Sequence, residues 1–237
     1  MMNKPMLLLL PLSLLLATPA YANLGIYPMR AAVDAKQGAQ IRVYSQSTQP
    51  QFVQATLRRI ADPAGEAEAE VEVEPDEAAI AITPGKFALS GGGNRLIRVI
   101  PLQPVEKEAA YRIYFEGVRG PDESPMQDAD DGSRANVGVN LVWGALVNVV
   151  PPDGVVDLQL QGDTLHNTGS LRVGITGVTE CTQAGVCADH EVSQSLYPDA
   201  DLKLPFQPQP GSSLQLRYRL TGKGHHEHMQ TLAATAS

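Results

Sequence analysis

The run Val137-Gly138-Val139-Asn140-Leu141-Val142-Trp143-Gly144-Ala145-Leu146-Val147-Asn148-Val149-Val150, closed by Pro151-Pro152-Asp153-Gly154, decides the fold. Valine and leucine recur at a spacing of two, the side-chain period of a strand, so the run reads as one long β-strand. Two prolines and an Asp-Gly cannot continue a central strand, which places a domain boundary at 151–154. Outward from there the period stays at two. Ile41-Arg42-Val43-Tyr44, Phe52 to Ile60, Leu96 to Ile100 and Tyr111 to Phe115 are strand-like runs. Turn signals separate them: Asp62-Pro63-Ala64-Gly65, Gly91-Gly92-Gly93-Asn94 and Gly120-Pro121-Asp122. Past the boundary, Val155–Leu160, Leu171–Val178, Leu202–Phe206 and Leu214–Leu220 repeat the pattern. The expected fold is all-β, two antiparallel sandwiches in tandem.

The ends and the charge bound the function. Lys4, the apolar run Met6 to Ala17 and Ala20-Tyr21-Ala22 form a signal peptide over 1–22, with cleavage expected after Ala22. The apolar stretch is too short for a bilayer span, and no later segment approaches one. The expected organisation is a signal peptide (1–22), a first domain (23–150), a linker (151–154), a smaller second domain (155–222) and a flexible tail (223–237). A formal net charge of −8 over 237 residues argues against nucleic acid as a partner. The alternating stretch Glu66-Ala67-Glu68-Ala69-Glu70-Val71-Glu72-Val73-Glu74 puts five carboxylates on one face. Its simplest reading is a solvated edge strand whose charge blocks edge-to-edge pairing.

Catalytic constellations are not found. The sequence has no Gly-x-Ser-x-Gly elbow, no phosphate-cradling loop and no His-Glu-x-x-His. His225, His226 and His228 cluster near the C-terminus without other ligands, so neither a metal nor a cofactor is expected. Cys181 and Cys187, in an exported chain, are expected to form a disulfide.

Four blocks carry a resemblance. They are Ile26-Tyr27-Pro28-Met29-Arg30-Ala31-Ala32-Val33; Pro84 to Ser90 followed by a glycine turn and Asn94-Arg95-Leu96-Ile97-Arg98-Val99; Glu108 to Phe115; and the long strand from Asn136 into Pro151-Pro152. In this order over the first domain, the chain resembles the periplasmic pilus-assembly chaperones of the chaperone–usher pathway. The resemblance implies two immunoglobulin-like domains in an L or boomerang arrangement, a periplasmic location, and no enzymatic activity. It also implies pilin subunits and an outer-membrane usher as partners. The chaperone lends the last strand of its first domain to a pilin that lacks one, a case of strand addition. When free, the protein could self-associate through that strand.

By the same resemblance, Arg30 binds the pilin's C-terminal carboxylate, with Asn148 sharing the task. Glu108 and Arg98 are interdomain or structural residues. Val137, Val139, Leu141 and Trp143 form the inserting ladder, and burying three such aliphatic side chains offers roughly 5–9 kcal/mol gross. An ungapped match instead puts Gly138 and Asn140 on that face, a shift of one residue, and both registers stand open. The family's lysine late on the donor strand is absent; Val147 occupies its place, and Pro151 stands where an arginine is usual. The long acidic stretch from Arg119 to Arg134, and a first domain without cysteines, point to the divergent branch serving alternate-class and common-pilus fimbriae. Two other readings stay open: a fimbrial structural subunit or tip adhesin, and a secreted ligand-binding sandwich.

Overall fold

The computed structural model describes residues 24–74, 76–120 and 141–234. Every described element is a β-strand, and none of the described residues forms a helix long and apolar enough to cross a membrane. The leader and both Val137 and Val139 lie outside the described residues.

The first sandwich holds β1 (Leu24–Tyr27), β2 (Arg30–Asp34), β3 (Ala39–Ser45), β4 (Gln51–Ala61), β5 (Ala69–Glu72), β6 (Ile80–Thr83), β7 (Lys86–Leu89), β8 (Asn94–Pro101), β9 (Ala109–Val118) and β10 (Val142–Val150). One sheet runs β1-β3-β8-β6; the other runs β2-β10-β9-β4-β5, with β7 also on β4. The inward positions of the alternating runs close the core between them. They include Ile41 and Val43 on β3, Ile97 and Val99 on β8, Ile113 and Phe115 on β9, and Val147 and Val149 on β10.

The opening run, Ile26 to Val33 in the sequence, is two strands rather than one. β1 pairs antiparallel with β3, whereas β2 pairs parallel with β10 in the opposite sheet. Pro28 sits at the switch, where it has no N–H to give to a ladder. The acidic stretch supplies β5, an exposed edge strand whose backbone pairs only with β4 among the described residues. Arg98 requires a correction. It lies on the exposed face of β8, opposite Gln40 and Thr83, with no side-chain hydrogen bond or ion pair among the described residues. Its neighbours Ile97 and Val99 take the inward positions, so period-two geometry turns Arg98 to solvent.

The second sandwich holds β11 (Leu158–Gln161), β12 (Thr164–Asn167), β13 (Val173–Cys181), β14 (Cys187–His190), β15 (Gln194–Leu196), β16 (Asp201–Lys203), β17 (Ser213–Leu220) and β18 (Glu227–Ala233). Its sheets run β11-β12-β16 and β14-β13-β17-β18, with β15 on β13. Here the expected flexible tail is overturned. Glu227 to Ala233 pair antiparallel with β17, from Arg219↔Glu227 to Ser213↔Ala233. Leu232 and Ala234 pack on the core, and His228 stacks on Tyr218 at 5.5 Å. A mostly polar edge strand held by backbone pairing carries little hydrophobic signal.

Cys181 and Cys187 face each other across the β13–β14 hairpin and form the expected disulfide. Reduction is expected to destabilise the second sandwich by roughly 2–2.5 kcal/mol and to spare the first. Thiol counting by mass spectrometry without reductant, followed by thermal melts with and without it, checks both halves; two free thiols in the purified protein would contradict the pairing.

Candidate functional site

Two features of the first sandwich meet at Leu146. From Leu146 to Val149, β10 lies between β9 and β2, and the Leu146 N–H donates to the Met29 carbonyl at 2.9 Å. From Val142 to Ala145, it pairs with β9 alone among the described residues. The covering strand stops because the chain leaves this sheet at Pro28. The result is an open strand edge that ends at Arg30, the register partner of Leu146.

Beyond this point lies a cleft of about 680 Å³ between the sandwiches. Among the described residues, Arg30, Arg112, Arg172 and Arg219 line it, together with Leu146 and Tyr197. Arg112 is already met by acid: it bonds Glu70 and lies 3.5 Å from Glu68, both from the carboxylate stretch. Arg219 lies 3.9 Å from Glu227. Arg30 is exposed and has no ion pair or hydrogen bond to its side chain among the described residues.

The floor of the cleft is a polar hub around Glu108. Its carboxylate accepts from Asn148 Nδ2 (2.9 Å), from the Arg172 backbone N–H (2.9 Å) and from the Thr221 hydroxyl. Its own N–H donates to the Ser170 carbonyl at 2.8 Å. Tyr197 closes the hub, packed on Ile60, Ala110 and Leu146. Burial pushes the Glu108 carboxyl above its ordinary range, and the bonds from Thr221, Arg172 and Asn148 offset only part of that rise. Burial likewise raises the Tyr197 hydroxyl, keeping it neutral.

These contacts sort the residues expected from sequence. Glu108, expected as an interdomain or structural residue, bonds Asn148, Thr221 and the Arg172 backbone rather than an arginine side chain. Asn148 is corrected. Both bonds of its NH2 are committed, to Glu108 and to the Tyr197 oxygen at 2.8 Å. Its remaining carbonyl oxygen is an acceptor and cannot bind a carboxylate. Of the expected ladder, Leu141 and Trp143 fall among the described residues. Trp143 packs against the core of the first sandwich, in line with buried Ala145, Val147 and Val149. Val142 points the other way and is 48% exposed. Leu141, also exposed, precedes β10. The face turned outward at the open edge is therefore that of Val142 and Gly144, the register shifted by one.

Arg172, Tyr197 and Thr221 were missed. A signal existed for the first: Leu171-Arg172-Val173 places a lone cation at the head of an apolar strand, as Met29-Arg30-Ala31 does. Tyr197 and Thr221 have no local signature, since their partners lie far away in the chain.

Glu108→Gln is expected to cost roughly 1–3 kcal/mol, because an NH2 then faces donors in the hub. The raised pKa fixes the pH dependence. The contribution of Glu108 is full below its unfolded value, near 4.5, and is lost as pH rises through the higher folded value. Melting-temperature differences between wild type and variant should therefore widen as pH falls from 7 toward this value. A gap that narrows on acidification would contradict the assignment.

No family model matches the chain. Over 188 residues it is 28% identical to a CS1 fimbrial protein of Escherichia coli, named as a subunit of that fimbria, covering 76% of this chain and 79% of that one. A solved structure described as the class 5 fimbriae chaperone CfaA superposes with a TM-score of 0.75 at 22% identity, over 88% of this chain and 98% of its own. This is the pilus-chaperone fold. A chain from a structure described as a chaperone–tip adhesin complex in CFA/I fimbriae biogenesis gives a TM-score of 0.74 at 22% identity, over 90% of this chain and all of that one. In the pilus-chaperone fold, the open edge of β10 and the arginine-lined cleft are neighbouring parts of one surface.

Proposed function

We propose that the chain is a periplasmic chaperone for fimbrial subunits, a binding protein rather than an enzyme, which lends β10 to a pilin lacking a strand and passes it to an outer-membrane usher. The observation that carries this reading is the open edge at Val142–Ala145, which ends at Arg30. A strand added there runs out of room at Leu146, where β2 already occupies the edge. If it runs parallel to β10, its terminal carboxylate arrives beside Arg30. A guanidinium can grip that group through two parallel hydrogen bonds, which fixes the register of the whole strand. Backbone bonds along the edge supply affinity, and Val142 supplies an apolar side chain to the pilin groove.

The name of the Escherichia coli relative favours a second reading, a structural component of the fimbria itself. Against it, both sandwiches here have cores closed by their own strands, whereas a pilin assembled through strand exchange has a gap to fill. Co-expression with candidate pilins from the same source separates the two. A soluble one-to-one complex is the expected result; self-polymerisation of this chain would replace the chaperone reading with the structural one.

A further inference from the structure

We infer that Arg172, from the second sandwich, is the second cation of the carboxylate anchor, so that a bound terminus bridges both sandwiches. The inference rests on the chaperone reading and supplies the partner that the first sandwich lacks. Val147, where a lysine would stand, is fully buried in the core and cannot present a charge. The Asn148 donors are committed to the hub, Arg112 is met by Glu68 and Glu70, and Arg219 is beside Glu227. Arg172 is held as an anchor would be. Its Nε and Nη2 donate to Ser195 Oγ at 3.1 and 2.6 Å, and its guanidinium lies 5.9 Å from the Tyr197 ring centroid. Nη1 has no partner among the described residues.

Arg30 and Arg172 line the same cleft, together with Leu146 and Tyr197. Tyr197 packs on Leu146, where the open edge ends and Arg30 begins β2. A carboxylate delivered to Leu146 therefore enters a cleft lined by one arginine from each sandwich.

The test uses the full chain and two forms of the pilin it recovers on co-expression: one with its native C-terminus, one extended by two glycines to displace the carboxylate. Arg172→Ala keeps the backbone N–H that serves Glu108. It is expected to weaken binding of the native form by about 10- to 100-fold and to leave binding of the extended form unchanged. Arg172→Lys should recover part of the loss. Independently of any pilin, N-acetylglycine should shift the side-chain Nε–H resonances of both Arg30 and Arg172, and N-acetylglycinamide should shift neither. Equal losses with both pilin forms, no loss with either, or an N-acetylglycine response at Arg30 alone would overturn the role of Arg172. A wild-type chain that recovers no pilin overturns the chaperone reading instead, while the N-acetylglycine result still decides the arginine pair.

Discussion

Val142→Asp is expected to leave the protein folded and to abolish recovery of pilin. In the free chain Val142 is 48% exposed, on an edge of β10 that is unpaired among the described residues, so a carboxylate there disturbs no core. In the complex the same side chain would be sealed into an apolar groove. The variant forgoes roughly 1.5–3 kcal/mol from burying valine and adds a desolvation penalty of several kcal/mol for the ionised group. Together these are enough to turn a nanomolar complex into one too weak to survive purification. Thermal melting of the variant alone and recovery of protease-resistant pilin on co-expression provide the two readouts. Leu141→Asp is the comparison. It tests the other face of the run, and a folded Leu141 variant that loses pilin while the Val142 variant keeps it would reverse the face assignment. Trp143→Asp should fail differently, by damaging the first sandwich, because Trp143 packs on that core.

The choice between the two faces is where sequence reasoning reached its limit. Period two predicts a strand over Val137 to Val150, of which Val142–Val150 is described as β10, but both faces of the run are apolar enough to be the buried one. Only the sheet places Ala145, Val147 and Val149 inward, and Trp143 with them. The acidic stretch was legible because alternating charge has one comfortable place in a sandwich, its edge, where β5 lies. The disulfide was legible because its partners are close in the chain. Asn148 stood out as a polar residue in an apolar run, yet its role depends on Glu108 and Tyr197, 40 and 49 residues away. Nothing local shows that its donors are already committed. β18 escaped because Glu227, His228, Gln230 and Thr231 give a polar pattern, and the strand is held by pairing with β17 rather than by its composition. Local chemistry marked strands, turns and the lone Arg30; partners brought in from the other sandwich remained hidden until the fold assembled them.

Arg30→Ala is expected to fold with near-native thermal stability and to fail in pilin recovery. Arg30 is exposed and makes no side-chain bond or ion pair among the described residues, so its removal costs the free protein little. The pilin complex changes its surroundings. There the guanidinium and the terminal carboxylate would be desolvated together, and losing one member of such a pair typically costs about 3–5 kcal/mol, because the other charge is left buried and unmet. This corresponds to a loss of two to three or more orders of magnitude in affinity, by the ~1.4 kcal/mol per tenfold rule. Displacing the pilin carboxylate by two added glycines should produce a similar loss. Combining the two changes should cost far less than their sum, since each already removes the same interaction. Arg172 bounds the residual: with one guanidinium left in the cleft, Arg30→Ala should retain a weak preference for the native C-terminus, and Arg30→Ala with Arg172→Ala should retain none. Full additivity between Arg30→Ala and the displaced carboxylate, or unchanged binding by the Arg30 variant, would place the anchor elsewhere on the cleft wall.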